Sequence, residues 1–502
     1  MQKLAGLDAG FLYNETQRAP QHIASVQVLE LPPGAEVFGF IADLKKLLLV
    51  RSHLVPYFTN KLQYVPLQLD HPVWVRDEAF DIEHHVRHVE VPQPGGRSEF
   101  EATIAKLHEQ PLDRSRPLWE IWVLSGLEGG RVAYYHRVHH ACLDGVSGQL
   151  AIQAIMDVTP EPRAVEPPPP AFARRPKAHS TFDLIVGAME NIAKFQIRQA
   201  SRLLQHADTA ARLWQRSVDP SKGLGAVADE APRTRLNRPV HNARSYATGE
   251  LPLGDVKLIG KATGTTINDV FLAICSGALR RYFSRSDELP AKSLIAGCPV
   301  SLRQPGDEAG NNQVTMMLVS LASNEADPVK RLLQIGHSSV QAKGFVADVA
   351  GSYDTDLALP GLPGLLSAAA GMLESGNLTE SALPRLPCNV VVSNVPGPRE
   401  QLYSLGAKVL THYPVSIPAH TQGANITVQS YQGQLFFAIT ACARALPDAA
   451  VLRDDMLAAF AELKERVLKT PATLVPRERS VGPAQQRSPA PRLADIGESE
   501  AA

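Results

Sequence analysis

Between residues 131 and 148 the chain reads RVAYYHRVHHACLDGVSG, and this stretch narrows the folding options more than any other. Val132, Tyr134, His136, Val138 and His140 recur with the period of two that puts side chains on one face of a strand. Ala133, Tyr135, Arg137 and His139 take the other face. The two adjacent histidines therefore point in opposite directions while the strand lasts, and only one can act as a base in a given cleft. Asp144 and Gly145 end the strand, after which Val146, Leu150, Ala154, Ile155 and Val158 recur at helical spacing. The segment is thus expected to be a strand-to-helix turn, a rigid place from which to present a base to a cavity.

A neutral imidazole, with an ordinary pKa of ~6.5, suits taking a proton from a hydroxyl near neutral pH. Asp144, four residues after His140, can fix the ring tautomer, hold the loop, or simply cap the following helix. Cys142 raises a second route, an acyl-enzyme on a thiolate. A residue two after His140 on a turn need not point back at it, and a structural cysteine is the reading preferred here.

His139-His140-Ala141-Cys142-Leu143-Asp144-Gly145 resembles the HHxxxDG signature shared by chloramphenicol acetyltransferase, peptide-synthetase condensation domains and the bacterial wax ester synthase/diacylglycerol acyltransferase family. The flanks favour the last. LAGLDAGFLYNETQRAPQHIASV is similar to that family's N-terminal block, Pro117-Leu118-Trp119 to its PLW element, and Asn268-Asp269-Val270 to its ND element. The resemblance covers about residues 1–158 and 245–468. It implies an α/β fold of two chloramphenicol-acetyltransferase-like lobes with a cleft or channel between them. It also implies acyl transfer from acyl-CoA, a co-substrate, to diacylglycerol or a long-chain alcohol, with no other cofactor. His140 is then the general base and His139 its support. Asp144 is expected to pair with Arg303 from the other lobe, turned away from the His140 ring, with Gly145 a further structural support of the site. Trp119 and Asn268 are candidate substrate contacts, with core packing the competing role for Trp119.

Composition sets outer limits. A length of 502 residues suggests two or three domains, and 44% apolar residues suffice for sizeable cores. A net charge of −1 offers no electrostatic case for nucleic acid. Five scattered cysteines fit reduced thiols in a cytoplasmic protein. Neither a signal peptide nor an eighteen-residue apolar run is apparent. No metal site is expected: His84-His85-Val86-Arg87-His88 lacks completing ligands and reads as a solvated strand.

Four segments follow from the pattern: an N-terminal lobe over 1–158, a Pro-rich linker with an amphipathic helix over 159–244, a second lobe over 245–470, and a disordered tail over 471–502. Pro167 to Pro170 in a row mark the linker. The helix predicted over 181–216 carries Phe182, Ile185, Met189, Ile192 and Phe195 on one stripe and Lys194, Arg198 and Arg202 on another face. Such a helix either packs on its own protein or meets a membrane or lipid-droplet surface. Ser98 and Glu101 have the spacing of a capping box, as do Thr266 and Asp269. Two rival functions remain open: a condensation-like enzyme drawing acyl groups from a carrier protein, and a silent lipid-surface protein.

Overall fold

The computed structural model describes residues 2–143, 148, 151–152, 154–173, 178–201, 203–219, 223–301, 314–349, 362–375 and 385–469. In the first half, the strands are β1 (His22–Glu30), β2 (Asn60–Gln63), β3 (Val73–Arg76), β4 (Val86–Glu90), β5 (Trp119–Ser125) and β6 (Val132–His139). In the second half they are β7 (Arg244–Pro252), β8 (Ile295–Ser301), β9 (Val314–Ser320), β10 (Val390–Val395), β11 (Tyr403–Ser404), β12 (Ala407–Val409), β13 (Tyr413–Val415), β14 (Ala424–Tyr431) and β15 (Gln434–Cys442).

Two large sheets build the expected pair of α/β lobes. The first runs β11-β12-β1-β6-β5-β4, with β13 also paired to β1, and the second runs β7-β15-β14-β10-β8-β9. Each sheet lies at the heart of its own apolar core, one around Val26, Tyr134 and Leu124, the other around Phe271, Ile426 and Ile439. β6, the predicted motif strand, is flanked by β1 and β5, and every one of its residues is buried. That double burial explains why its two faces are equally rich in large side chains.

The second half of the chain lends strands to the first sheet. Strands β11 to β13, which sequence spacing assigned to the second lobe, cross over and extend the first sheet along β1. Residues pairing so far along the chain leave no local periodicity to betray them. The expected capping box at Ser98 also resolves differently. The helix Arg97–Leu107 starts at Gly96 with no side-chain cap. Glu101 instead turns across to β7, where it accepts hydrogen bonds from the Thr248 backbone and hydroxyl, both at 2.7 Å. A buried carboxylate satisfied by the other lobe outweighs a cap that water can replace.

The second lobe follows the sequence more closely. Thr266 and Asp269 form the reciprocal capping box at the head of the helix Ile267–Ser284. This helix is buried on nearly all sides, from Val270 and Phe271 round to Leu272, Cys275 and Leu279. The helix before it, Leu253–Thr263, stops at Gly264, whose φ of 70° is a left-handed conformation that glycine adopts without a Cβ penalty.

The segment predicted as a helix over 181–216 is helical over Thr181–Ser201 and Leu203–Val218. Leu184 and Ala188 of the first pack on Val65, Val73 and Val75 of the β2-β3 hairpin. The second is fastened by Arg216, a buried residue that reaches Asp348 at 2.6 Å. Lys194 and Arg212 pair with Glu190 and Asp208 on their own helices. Arg202 and the tail over 471–502 lie outside the described residues.

Candidate active site

Both neighbouring segments grip the end of β6. The His139 N–H donates to the Leu118 carbonyl and the His140 N–H to the Gln21 carbonyl, each at 2.9 Å. The strand then gives way to a short 3-10 turn, His140–Cys142. Leaving the strand changes the geometry of the doubled histidine, because each ring now meets a different part of the Gly6–Asn14 helix and its exit.

His139 is fully buried. Its Nδ1 accepts the Ala141 N–H at 3.1 Å, and its Nε2 lies 3.2 Å from Glu15 Oε2. An accepting Nδ1 leaves Nε2 as the protonated nitrogen, close against Glu15 but not aligned as a hydrogen bond. Glu15 is held from its other side by Arg114, whose Nη2 sits 2.8 Å from Oε1. Burial alone would raise the Glu15 carboxyl; the adjoining His139 ring, then Arg114 and the Gln21 N–H, bring it down to about 2.

His140 is half-buried, with its ring stacked on Phe11 at 3.8 Å between centroids and 14° between planes. Burial lowers its pKa to about 4, its own backbone carbonyl opposes that in part, and His139 adds to it. That carbonyl is not in hydrogen-bonding geometry with Nδ1, which is buried and has no partner among the described residues. His140 is therefore a neutral imidazole at neutral pH, with a ring nitrogen left unsatisfied by the described residues. Its chemical capacity is to accept a proton in a site with little water.

Cys142 is buried, and that burial pushes its thiol up, well away from a nucleophilic thiolate. Trp119 is 1% exposed and lies stacked between Phe58 and His85, with its Nε1–H on the Phe58 carbonyl at 3.1 Å. Those surroundings are those of a packed core. Asn268 occupies the second position of its helix, half-exposed, just ahead of the buried Asp269. Asp144, Gly145 and Arg303 lie outside the described residues. Among the described residues no group of histidines, cysteines and carboxylates could hold a metal ion. His85, expected on a solvated strand, is instead a core residue with Nδ1 on the Trp119 carbonyl at 2.8 Å.

Sequence reasoning missed Phe11, Glu15 and Arg114. Phe11 and Glu15 stand four apart, the spacing that aligns two side chains on one helical face. Only the fold shows that this face looks at the histidines.

Residues 4–271 match the model of the wax ester synthase/diacylglycerol acyltransferase catalytic domain, and residues 310–464 match that of the WS/DGAT C-terminal domain. The chain belongs to the wax ester synthase/diacylglycerol acyltransferase family. An Acinetobacter baylyi relative, named O-acyltransferase WSD, is 34% identical over 460 residues, covering 89% of this chain and 93% of its own. A Mycobacterium tuberculosis relative, named as a candidate diacylglycerol O-acyltransferase, is 35% identical over 469 residues, 93% of this chain and 90% of its own. The solved wax ester synthase/diacylglycerol acyltransferase of Marinobacter aquaeolei VT8 is similar in structure, with a TM-score of 0.64 at 28% identity, covering 93% of this chain and all of that one. A condensation domain of the CDA synthetase shares the fold at a TM-score of 0.53 and 14% identity, covering 91% of this chain and 94% of its own.

Proposed function

We propose that this member of the family is an O-acyltransferase moving a fatty acyl group from acyl-CoA to the hydroxyl of diacylglycerol or a long-chain alcohol. The observation that carries the reading is the state of His140: a neutral imidazole at the end of the central strand, covered by Phe11 and held by flanking backbone. The alcohol oxygen attacks the thioester carbonyl carbon as His140 takes the hydroxyl proton. The tetrahedral oxyanion then collapses, the carbon–sulfur bond breaks, and imidazolium returns the proton to the departing thiolate. A well-placed acid/base group contributes ~10²–10⁴-fold to such a step. Asn268, at a helix N-terminus that favours negative charge, is our candidate for the substrate contact. Asp144 and Arg303, with Gly145, remain our proposed buried support of the motif.

The test is ester formation by the purified chain from a ladder of acyl-CoAs with each acceptor. Ester and free CoA in equal amounts, lost in His140→Ala, are expected. No turnover with either acceptor, or full turnover in His140→Ala, overturns the reading.

The same proposal places the protein in the cytoplasm, peripherally on a membrane or lipid inclusion. No described helix is long and apolar enough to cross a membrane. Support comes from the outer face of the helix Thr181–Ser201, where Phe182 is 73% exposed and Ile197 71%, with Val186 and Met189 between them. Trp214, within Leu203–Val218, is also exposed. Because Lys194, Arg212 and Arg216 are each paired with a carboxylate, this apolar stripe carries more of the case than basic charge does.

A further inference from the structure

Glu15 stands at the exit of the Gly6–Asn14 helix, and its carboxylate is joined to the His140 turn by two separate routes. In the first, Oε2 faces His139 Nε2 at 3.2 Å while Nδ1 of the same ring takes the Ala141 N–H at 3.1 Å. In the second, Oε2 accepts the Gln21 N–H at 2.9 Å, and the Gln21 carbonyl takes the His140 N–H at 2.9 Å. The two peptide N–H groups at His140 and Ala141, on either side of the base's α-carbon, thus both end on groups that Glu15 holds. Arg114 completes the fastening, with Nε on Glu15 Oε1 at 2.9 Å and Nη2 on the Leu12 carbonyl at 2.7 Å. Leu12 follows Phe11, whose ring covers His140.

We propose that Glu15 is a positioning residue for the His140 base, acting through His139 and the Gln21 peptide. On this view the first histidine of the doubled pair is a connector, kept as the Nε2–H tautomer so that one ring can rest its N–H edge against Glu15 and accept from Ala141. The chemistry demands it, because an imidazole turned by some tens of degrees no longer aims its lone pair at a substrate hydroxyl. The geometry also explains why the N-terminal block and the histidine motif, more than a hundred residues apart in sequence, meet in the fold. Removing the carboxylate would take the acceptor from the Gln21 N–H and the facing carboxylate from His139, and buried donors do not stay unpaired without rearrangement.

The inference rests on the acyl-transfer reading, so wild type and His140→Ala are assayed alongside. With purified full-length chain, acyl-CoA and a long-chain alcohol, Glu15→Ala should lower kcat about 10- to 100-fold while KM for both substrates stays within about twofold, since misplacement near 1 Å costs about 10²-fold. His139→Ala should fall to a similar kcat, and the double variant should be no slower than the slower single one, because both act along one chain of contacts. Glu15→Gln can satisfy His139 or Arg114 but not both with an acceptor oxygen, and should recover part of the loss. If Glu15→Ala does not fold, Glu15→Gln paired with His139→Ala carries the same cycle. Unchanged kcat in a folded Glu15 variant, a loss confined to KM, or losses that multiply in the double variant would overturn the proposal. An inactive wild type or an active His140→Ala would strike at the acyl-transfer reading instead.

Discussion

The ring of Phe11 lies flat on that of His140, with centroids 3.8 Å apart and planes 14° from parallel. A stacked neighbour shuts water away from one face of the imidazole but leaves the ring nitrogens, whose lone pairs lie in the ring plane, open to partners at the edge. Phe11→Ala should let water reach that face and raise the His140 pKa from about 4 towards its ordinary value, because hydration favours the charged form. The titration of the ring by NMR checks this, and kcat/KM should fall about tenfold as the ring loses its support. A pKa left where it was would show that Phe11 is not what keeps His140 dry.

Direct attack and an acyl-enzyme separate cleanly by mutation. His140→Ala should lose on the order of 10²–10⁴-fold in kcat while remaining folded. Cys142→Ala should keep most activity, since burial holds that thiol protonated. A dead Cys142→Ala, with a trapped thioester on Cys142 in the parent chain, would reverse the assignment.

Acid should unfold the protein before it titrates the base. Burial lowers His108 to about 3 and His136 and His412 to about 4. Between those values and the unfolded value near 6.5, the unfolded chain binds more protons than the folded one. The stability these rings confer is thus complete above about pH 6.5 and is lost as pH falls towards 4. Each contributes a loss on the order of 1–2 kcal/mol by pH 5. Melting temperature should drop steadily from pH 7 to 5, with kcat/KM level until structure is lost. An acid limb in kcat/KM at pH 6.5, with circular dichroism unchanged, would contradict the neutral His140.

Trp119 is expected to matter for stability. Trp119→Ala should cost about 3–5 kcal/mol, the usual range for an emptied aromatic core position, and Trp119→Phe much less. Denaturant melts give the numbers. A stable Trp119→Ala with an altered acyl-chain preference would instead return this residue to the substrate path.

Lipid contact can be divided into apolar and charged parts. Replacing Phe182, Met189 and Ile197 with glutamate should weaken sedimentation with vesicles several-fold, whether or not the vesicles are anionic. Lys194→Glu and Arg198→Glu should have a smaller effect, seen on anionic vesicles only. Unaltered binding after the apolar changes would leave these helices as an outer layer of the protein alone.

Much of this was legible in the chain itself. Period-two alternation marked β6, the helix Leu253–Thr263 ended at its glycine, and the Thr266–Asp269 box opened the next helix as its spacing required. Each of these is a local preference, decided by backbone geometry and neighbours within a turn or two. The same is true of the histidine motif, whose residue types announce proton transfer without any fold.

What only the tertiary structure decided are the contacts between distant segments. The return of β11 to β13 to the first sheet, the turn of Glu101 towards Thr248, the core burial of His85 and Trp119, and the meeting of Phe11 and Glu15 with His140 and His139 left no periodic trace. The reason is physical. A hydrogen bond or ring stack across more than a hundred residues imposes no spacing on either partner, and a carboxylate near a helix start fits a cap and a long-range clamp equally well. Burial chose between them, because a polar group removed from water must take whichever partner the fold brings within reach.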